Sequence, residues 1–148
     1  MRARDLVTDF PTVELDSSAL EAARLLTAEG LPGLIVVDHR GRPVAVLPGT
    51  QVLRLSVPRY CQEDPSLARV VDEAHADTFV AALGSKTVRD CLPIDADRPA
   101  IVGPRATLLE MATLMARSRS PLVAVVDGDR LLGAVTLRGL LERAVPQE

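Results

Sequence analysis

The sequence predicts an α/β protein of two pseudo-symmetric units that pack as one module. Each unit has the order strand, helix, strand, strand, helix. Its 148 residues are enough for two small units that share one core. Hydrophobic residues make up 47% of the chain and aromatic residues only 2%, which favours an aliphatic core of buried strands and short helices. The third and decisive observation is an internal repeat.

The repeat becomes visible when Ser18–Asp38 is moved forward by 89 positions, onto Thr107–Asp127. Identical residues then coincide: Leu20 with Leu109, Glu21 with Glu110, Ala23 with Ala112, Leu25 with Leu114, and Pro32 with Pro121. The two copies also keep the same local signals for helices, strands and turns. We therefore expect both copies to fold alike.

Each copy opens with the spacing of a capping box, in which a hydroxyl and a glutamate three residues later satisfy helix N–H groups. The pairs are Ser18 with Glu21 and Thr107 with Glu110. Apolar residues then recur at helical spacing until a proline, Pro32 or Pro121, ends the pattern. This pattern predicts one amphipathic helix at the start of each copy.

Buried-strand runs, tight turns and a short helix complete each copy. The first copy contains Leu34–Val37, a turn at Asp38–Gly41, Val44–Leu47 and a helix near Thr50–Leu55. The second contains Leu122–Val126, a turn at Asp127–Asp129, Leu131–Val135 and a helix near Arg138–Ala144. A further strand is expected upstream, near Thr12–Leu15 and Ala100–Val102.

These elements predict a first repeat at residues 1–57, a helical linker at 58–86 and a second repeat at 87–148. Arg4–Leu6 and Arg89–Cys91 are similar lead-in segments 85 positions apart, which implies about four extra residues within Pro93–Pro99. In the linker, Asp64 precedes an apolar pattern that predicts a helix at Pro65–Ala82. We expect this helix to cover the core or a partner subunit.

Composition excludes several classes of function. The net charge of −3 is spread evenly, so no basic surface for nucleic acid is expected. No apolar run is long enough to cross a membrane, and Cys61 and Cys91 are expected to be unpaired thiols in the cytoplasm. Motifs for metal binding or catalysis are absent from the sequence, so we expect no enzyme and no metal site.

The repeated unit resembles the CBS domain, named for cystathionine β-synthase, over residues 1–55 and 87–146. The most specific stretches are Pro121–Asp127 and Leu132–Leu141, the second of which is similar to the family pattern G-h-h-[S/T]-x-x-D, with h apolar. The resemblance implies a tandem pair, or Bateman module, whose units pair through their sheets around clefts for AMP, ATP or another adenosyl ligand. It also implies a homodimer that regulates a partner protein such as a transporter, channel or enzyme, without inserting into a membrane itself.

The same resemblance gives candidate ligand-binding residues in the second repeat. Thr136 keeps the hydroxyl of the motif, and Arg138 would add a charge to a phosphate contact. Ser120 and Pro121 would border the cleft. Gly139 stands where the family has the aspartate that accepts hydrogen bonds from ribose, so this anchor is missing.

In the first repeat the motif is largely lost. Pro48 replaces the hydroxyl residue, and Gln51 replaces the aspartate with a neutral amide, which is a weaker acceptor for ribose. The sequence therefore does not predict an intact pair of nucleotide sites. Two hypotheses follow: a regulatory pair that senses a small ligand, and a structural protein-interaction module that has lost nucleotide binding.

Overall fold

The computed structural model of the protein describes residues 1–57, 59–69, 76–92 and 100–146. These residues form two three-stranded sheets, one from each half of the chain, with the orders β1-β2-β3 and β4-β5-β6. In each sheet the central strand pairs in parallel with the first strand and antiparallel with the third. The strands are β1 (Thr12–Glu14), β2 (Gly33–Val37), β3 (Pro43–Pro48), β4 (Ile101–Val102), β5 (Leu122–Asp127) and β6 (Arg130–Thr136).

Helices follow these strands in the predicted order. The helices are α1 (Ala3–Leu6), α2 (Ala19–Glu29), α3 (Gly49–Ser56), α4 (Arg59–Glu63), α5 (Ala76–Ser85), α6 (Val88–Cys91), α7 (Leu108–Ser118) and α8 (Leu137–Ala144), with a 3₁₀ helix at Pro65–Arg69. In the first repeat α2 lies between β1 and β2, and α3 follows β3; α7 and α8 take the same places in the second repeat. The predicted α/β class with two similar units is therefore confirmed.

Side-chain caps fix where the long helices begin. Ser18 Oγ accepts a hydrogen bond from the N–H of Glu21 at 3.0 Å, and Thr107 Oγ1 accepts one from the N–H of Glu110 at 3.1 Å. Each hydroxyl thereby satisfies one of the N–H groups that the first helical turn leaves without a partner. The predicted starts of α2 and α7 are confirmed at both residues.

Tight turns join β2 to β3 and β5 to β6. Asp38 Oδ1 accepts hydrogen bonds from the N–H groups of Arg40 at 2.8 Å and Arg42 at 2.9 Å. The bond from Arg42, followed by that from Arg40, lowers the pKa of Asp38 below its usual value. In the second repeat Asp127 pairs directly with Arg130, so that turn has two residues. Both turns lie where Asp and Gly predicted them.

Alternate residues of the central strands face different layers, because side chains of a strand alternate between its two sides. Leu34 and Val36 of β2 are buried among the helices of the first repeat. Ile35 and Val37 point the other way and meet the second sheet. The buried residues of this inter-sheet cluster are Ile35, Val37, Leu122, Ala124 and Ala134. The two sheets thus pack face to face, and the two units form one module.

The lead-in helices pack on the repeat opposite to the one that they precede in sequence. In α1 the N–H of Ala3 donates to the carbonyl of Ala106 at 2.8 Å, and in α6 the N–H of Val88 donates to the carbonyl of Ser17 at 2.8 Å. Ala3 and Val88 are fully buried there. The predicted boundaries at residues 57 and 86 stay a prediction, and these contacts cross them.

The structure tests only part of the helix predicted at Pro65–Ala82. Pro65–Arg69 is a 3₁₀ helix, Ala76–Ser85 is α-helical, and residues 70–75 lie outside the described residues. Leu83 is buried in the core of the first repeat, and α5 packs against α2 and α3. The linker therefore covers the helical side of the first repeat. The extra residues predicted within Pro93–Pro99 also lie outside the described residues.

Candidate functional site

The candidate site lies where β6 ends and α8 begins. Thr136 is the N-cap residue of α8, and its Oγ1 accepts a hydrogen bond from the N–H of Gly139 at 3.0 Å. The N–H of Leu137 donates to the carbonyl of Pro121 at 2.8 Å. Thr136 and Pro121 therefore lie side by side at this helix end. The N–H groups of Leu137 and Gly139 are already paired there, and the helix dipole favours an anion.

The hydroxyl of Thr136 has a further hydrogen bond to give. A threonine hydroxyl both accepts and donates, so accepting from Gly139 leaves its O–H group to donate to a ligand oxygen. Thr136 is partly buried, which reduces competition from water. This arrangement suits one anionic oxygen, such as an oxygen of a phosphate group.

Gly139 limits what else this helix end can bind. A Cβ at Gly139 would lie 3.2 Å from Thr136 Oγ1, closer than an ordinary van der Waals contact. An aspartate at this position would therefore displace the Thr136 side chain by a few tenths of an ångström. The glycine offers no carboxylate at this position and allows the close cap by Thr136.

Ser120 and Arg138, which were also predicted as site residues, form their side-chain hydrogen bonds away from Thr136. Ser120 is 8% exposed, and its Oγ donates to the carbonyl of Leu122 at 2.6 Å, so its hydroxyl serves the start of β5. The Arg138 side chain is 89% exposed and extends along α8, where Nε lies 3.1 Å from Glu142 Oε1. Sequence reasoning missed Glu142, although a pair of opposite charges four residues apart on a helix was visible.

Gln51 occupies the position in α3 that Gly139 occupies in α8. The backbone contact is kept in the first repeat, since the N–H of Gly49 donates to the carbonyl of Pro32 at 3.0 Å. The N-cap residue there is Pro48, which has no side-chain cap. Among the described residues no hydrogen bond links Gln51 to the other predicted site residues. The first repeat thus has a similar helix end without a hydroxyl at the N-cap position.

The N-terminal segment forms a neighbour of the site that the sequence did not predict. Thr8 and Ala134 exchange two backbone hydrogen bonds of 3.0 Å, so residues around Thr8 extend the sheet beyond β6. Gly133 has a φ of 144°, and a Cβ there would overlap the carbonyl oxygen of Thr8. The glycine of the pattern G-h-h-[S/T] was the available signal, because glycine in a strand often marks a close backbone approach.

The rest of the described chain offers little other chemistry. Burial, followed by the charge of Asp90, raises the pKa of Cys91 to about 11, so its thiol is a poor nucleophile at neutral pH. Within residues 1–57, 59–69, 76–92 and 100–146, no group of three or more His, Cys, Asp and Glu side chains is placed to hold a metal ion. No helix within those ranges has both the length and the apolar character needed to span a membrane.

The match to a known family covers both repeats. The family model described as the CBS domain matches residues 3–57 and 88–145. The chain belongs to the CBS-domain family. The two similar units are therefore CBS domains, and the packed module is a CBS pair. Among curated proteins, none matches this chain.

Solved structures of CBS pairs share the whole fold. A CBS domain-containing protein of unknown function from Kribbella flavida DSM 17836 is 49% identical, with a TM-score of 0.78 over 99% of both chains. The CBS domain of a membrane protein from Sphaerobacter thermophilus is 23% identical, with a TM-score of 0.70 over 96% of this chain and 86% of that chain. CBSX2 in complex with AMP is 20% identical, with a TM-score of 0.68 over 97% and 96%. The last two similarities show the fold alone.

The cap by Thr136 has a measurable effect on this CBS pair. Thr136→Val is expected to lower the free energy of unfolding by about 1 kcal/mol, because the N–H of Gly139 loses its acceptor. Urea denaturation followed by circular dichroism measures the change. Thr136→Ser, which keeps the hydroxyl, is the matched control and should stay near the native value. Equal stability of the valine variant and the native chain would contradict the assigned cap.

Proposed function

We propose that this CBS pair is a regulatory module that senses an adenine nucleotide and modulates a partner protein. The observation that carries the proposal is Thr136, whose O–H group has a bond to donate at the N-terminus of α8. A phosphate oxygen is the kind of acceptor that a helix end of this type favours. The AMP complex of CBSX2, a protein of the same fold, supports AMP, ATP or another adenosyl compound as the ligand.

We infer one weak site in each chain. The second repeat has Thr136 for a phosphate and, with Gly139, no carboxylate for ribose. The first repeat has Pro48 in place of the hydroxyl and Gln51 in place of the carboxylate. The first repeat is the weaker candidate because it lacks the hydroxyl, and Gln51 offers only a neutral acceptor, about half as strong as a charged one.

The position of Thr136 suggests how binding would be transmitted. Thr136 pairs directly with Leu122 across β5 and β6, and the side chain of Leu122 lies in the inter-sheet cluster. A ligand that binds Thr136 therefore acts one residue pair away from the packing of the two repeats. A ligand that prefers one packing shifts the population toward it, and a partner protein that contacts both repeats would respond.

Isothermal titration with AMP, ATP and S-adenosylmethionine tests the nucleotide proposal. We expect binding of at least one of the three, with Thr136→Ser similar to the native chain and Thr136→Val much weaker. A thermal-shift series supports the titration, since a ligand at about 100 times its Kd adds about 2.7 kcal/mol of stability. No binding of any of the three, or equal binding by the valine variant, would refute this site.

The alternative is a structural interaction module that has lost nucleotide binding. Pro48, Gln51 and Gly139 favour it, and so do the contacts that Ser120 and Arg138 make outside the site. In that case the linker helix or an aliphatic sheet face would dock onto a transporter, channel or enzyme. A pull-down that recovers a partner from a chain with no response to nucleotides would favour this alternative. A strictly monomeric chain that recovers no partner would count against it.

Four further properties belong to the same proposal. A non-catalytic role agrees with membership of a family of regulatory modules. A cytoplasmic location is supported by Cys61 and Cys91, which are buried and unpaired, as expected of thiols in a reducing compartment. We also expect a homodimer, and we infer no contact with nucleic acid because the charge of −3 is evenly spread.

A further inference from the structure

The two lead-in helices are held in the same way on opposite repeats. In α6 the N–H of Arg89 donates to the carbonyl of Leu15 at 3.0 Å, and in α1 the N–H of Arg4 donates to the carbonyl of Pro104 at 2.9 Å. Leu15 and Pro104 are equivalent positions of the two repeats, 89 residues apart. Because the backbones agree, the side chains around these two contacts can be compared directly.

The charges at the two contacts differ. In the first repeat Asp16 follows Leu15, and Asp16 Oδ1 lies 3.2 Å from Arg89 Nη2. In the second repeat the position of Asp16 is taken by Arg105, and the position of Arg89 is taken by Arg4. Two arginines therefore stand where the first repeat has an ion pair.

A third arginine lies at the same loop. Arg2 Nη1 donates to the carbonyl of Arg105 at 2.9 Å, and we call Arg2, Arg4 and Arg105 the arginine cluster. All three residues are exposed. Asp5 belongs to the same segment, and its carboxylate accepts the backbone N–H of Arg2 at 2.9 Å. Within the part of the chain that the structure describes, no carboxylate forms an ion pair with a guanidinium of the cluster.

The arginine cluster is a local excess of positive charge. Residues 1–5 with Arg105 carry three positive side chains and one negative, whereas the equivalent residues 86–90 with Asp16 carry two of each. The anion that stands at the equivalent place of the first repeat is a carboxylate, within hydrogen-bonding distance of its arginine. Guanidinium groups bind carboxylates through paired N–H donors. The cluster therefore suits carboxylates that the chain itself does not supply.

We propose that the arginine cluster is the surface through which this CBS pair binds an acidic segment of its partner protein. A carboxylate of the partner lies between Arg4 and Arg105, as Asp16 lies beside Arg89 in the first repeat. The net charge of the whole chain is −3, so an acidic segment is attracted at the cluster and not by the chain in general. This inference rests on the proposed control of a partner protein and does not require a nucleotide.

The arginine cluster and Thr136 lie at opposite ends of the second sheet. Arg105 follows β4, whereas Thr136 pairs with Leu122 at the start of β5, the strand parallel to β4. The N-terminal segment contacts both ends, through α1 at the cluster and through Thr8 at Ala134 of β6. A partner bound at the cluster therefore contacts a segment that also lies close to Thr136.

An NMR titration of the full ¹⁵N-labelled chain with a short, capped poly-aspartate peptide tests this surface. We expect saturable shifts at the amides of Arg2, Arg4 and Arg105, and weaker binding as NaCl is added. Arg105→Asp should weaken binding at least about tenfold, because it rebuilds the ion pair of the first repeat and removes a donor. Arg24→Glu, the same change of charge at an exposed arginine of α2, is the matched control and should bind like the native chain.

The reciprocal change in the first repeat gives a test by gain of binding. Asp16→Arg places two arginines beside each other there, as Arg4 and Arg105 are in the second repeat. This variant should bind a second peptide, with new shifts at the amide of Arg89. Asp16 and Arg105 are both exposed, so both variants should keep the native fold, which circular dichroism verifies.

Several results would overturn the inference. They are no binding of the peptide at low salt, equal binding by Arg105→Asp and the native chain, and no second site in Asp16→Arg. Shifts at the cluster with inorganic phosphate and none with the peptide would also overturn it, since the cluster would then bind phosphate. Titrations in which no nucleotide binds would refute only the site at Thr136, and peptide binding would be unaffected.

Discussion

Replacing Gly133 with alanine is expected to lower the free energy of unfolding by about 2–4 kcal/mol. Gly133 has a φ of 144°, which residues with a side chain rarely adopt, and a Cβ would overlap the carbonyl oxygen of Thr8. That oxygen accepts the N–H of Ala134 at 3.0 Å. To accommodate the methyl group, the N-terminal segment has to move away from β6, which also alters the neighbourhood of Thr136.

Chemical denaturation measures the loss, and hydrogen exchange locates it. The N–H of Ala134 should exchange much faster in the alanine variant, because its acceptor has moved. Gly84→Ala is the control. Gly84 lies in helix α5, and a Cβ added there would meet only Leu20 Cδ2, at 3.9 Å. Alanine should stabilise that helix by up to about 1 kcal/mol. Native stability in Gly133→Ala would contradict the described approach of Thr8.

Leu122→Ala is expected to lower the free energy of unfolding by about 3 kcal/mol, since it removes a fully buried side chain from the inter-sheet cluster. The Leu122 side chain also packs closely against Gly33 of the first repeat. Its Cδ2 lies 3.3 Å from where a Cβ on Gly33 would be. Gly33 and Leu122 are equivalent positions of the two repeats, 89 residues apart, so the leucine fills the space that the glycine leaves.

The control for Leu122→Ala is Leu109→Ala. Leu109 is 73% exposed, so its truncation should change the stability of the monomer by less than about 0.5 kcal/mol. Both variants are compared by urea denaturation at one low protein concentration. A small effect at Leu122, equal to that at Leu109, would mean that the repeats do not pack through their sheets as described.

Features set by neighbouring residues were predictable from the sequence. The caps at Ser18 and Thr107, the turns at Asp38–Gly41 and Asp127–Asp129 and the continuous apolar runs of the buried strands each depend on a few adjacent side chains. The family resemblance then indicated the end of β6 as the place for a ligand. Thr136 and Pro121 do lie together there.

Features set by distant contacts were not predictable in this way. The lead-in segment of α1 resembles that of α6, and no local signal predicts that each helix packs on the other repeat. The hydrogen bond from the N–H of Ala3 to the carbonyl of Ala106 shows that α1 does so. The direction of a long side chain is also decided by its surroundings. Arg138 was expected at a phosphate, whereas it extends to Glu142. Ser120 was expected at the cleft, and its hydroxyl bonds the backbone of its own strand.

An NMR titration of ¹⁵N-labelled protein with AMP and ATP tests most directly whether this CBS pair binds its ligand at one helix end. A nucleotide site at Thr136 predicts saturable shifts concentrated in the amides of Thr136, Leu137, Arg138 and Gly139. Smaller changes should reach Leu122 and the inter-sheet cluster. Shifts centred on Gly49–Gln51 with none at Thr136, or no shifts with either nucleotide, would contradict it.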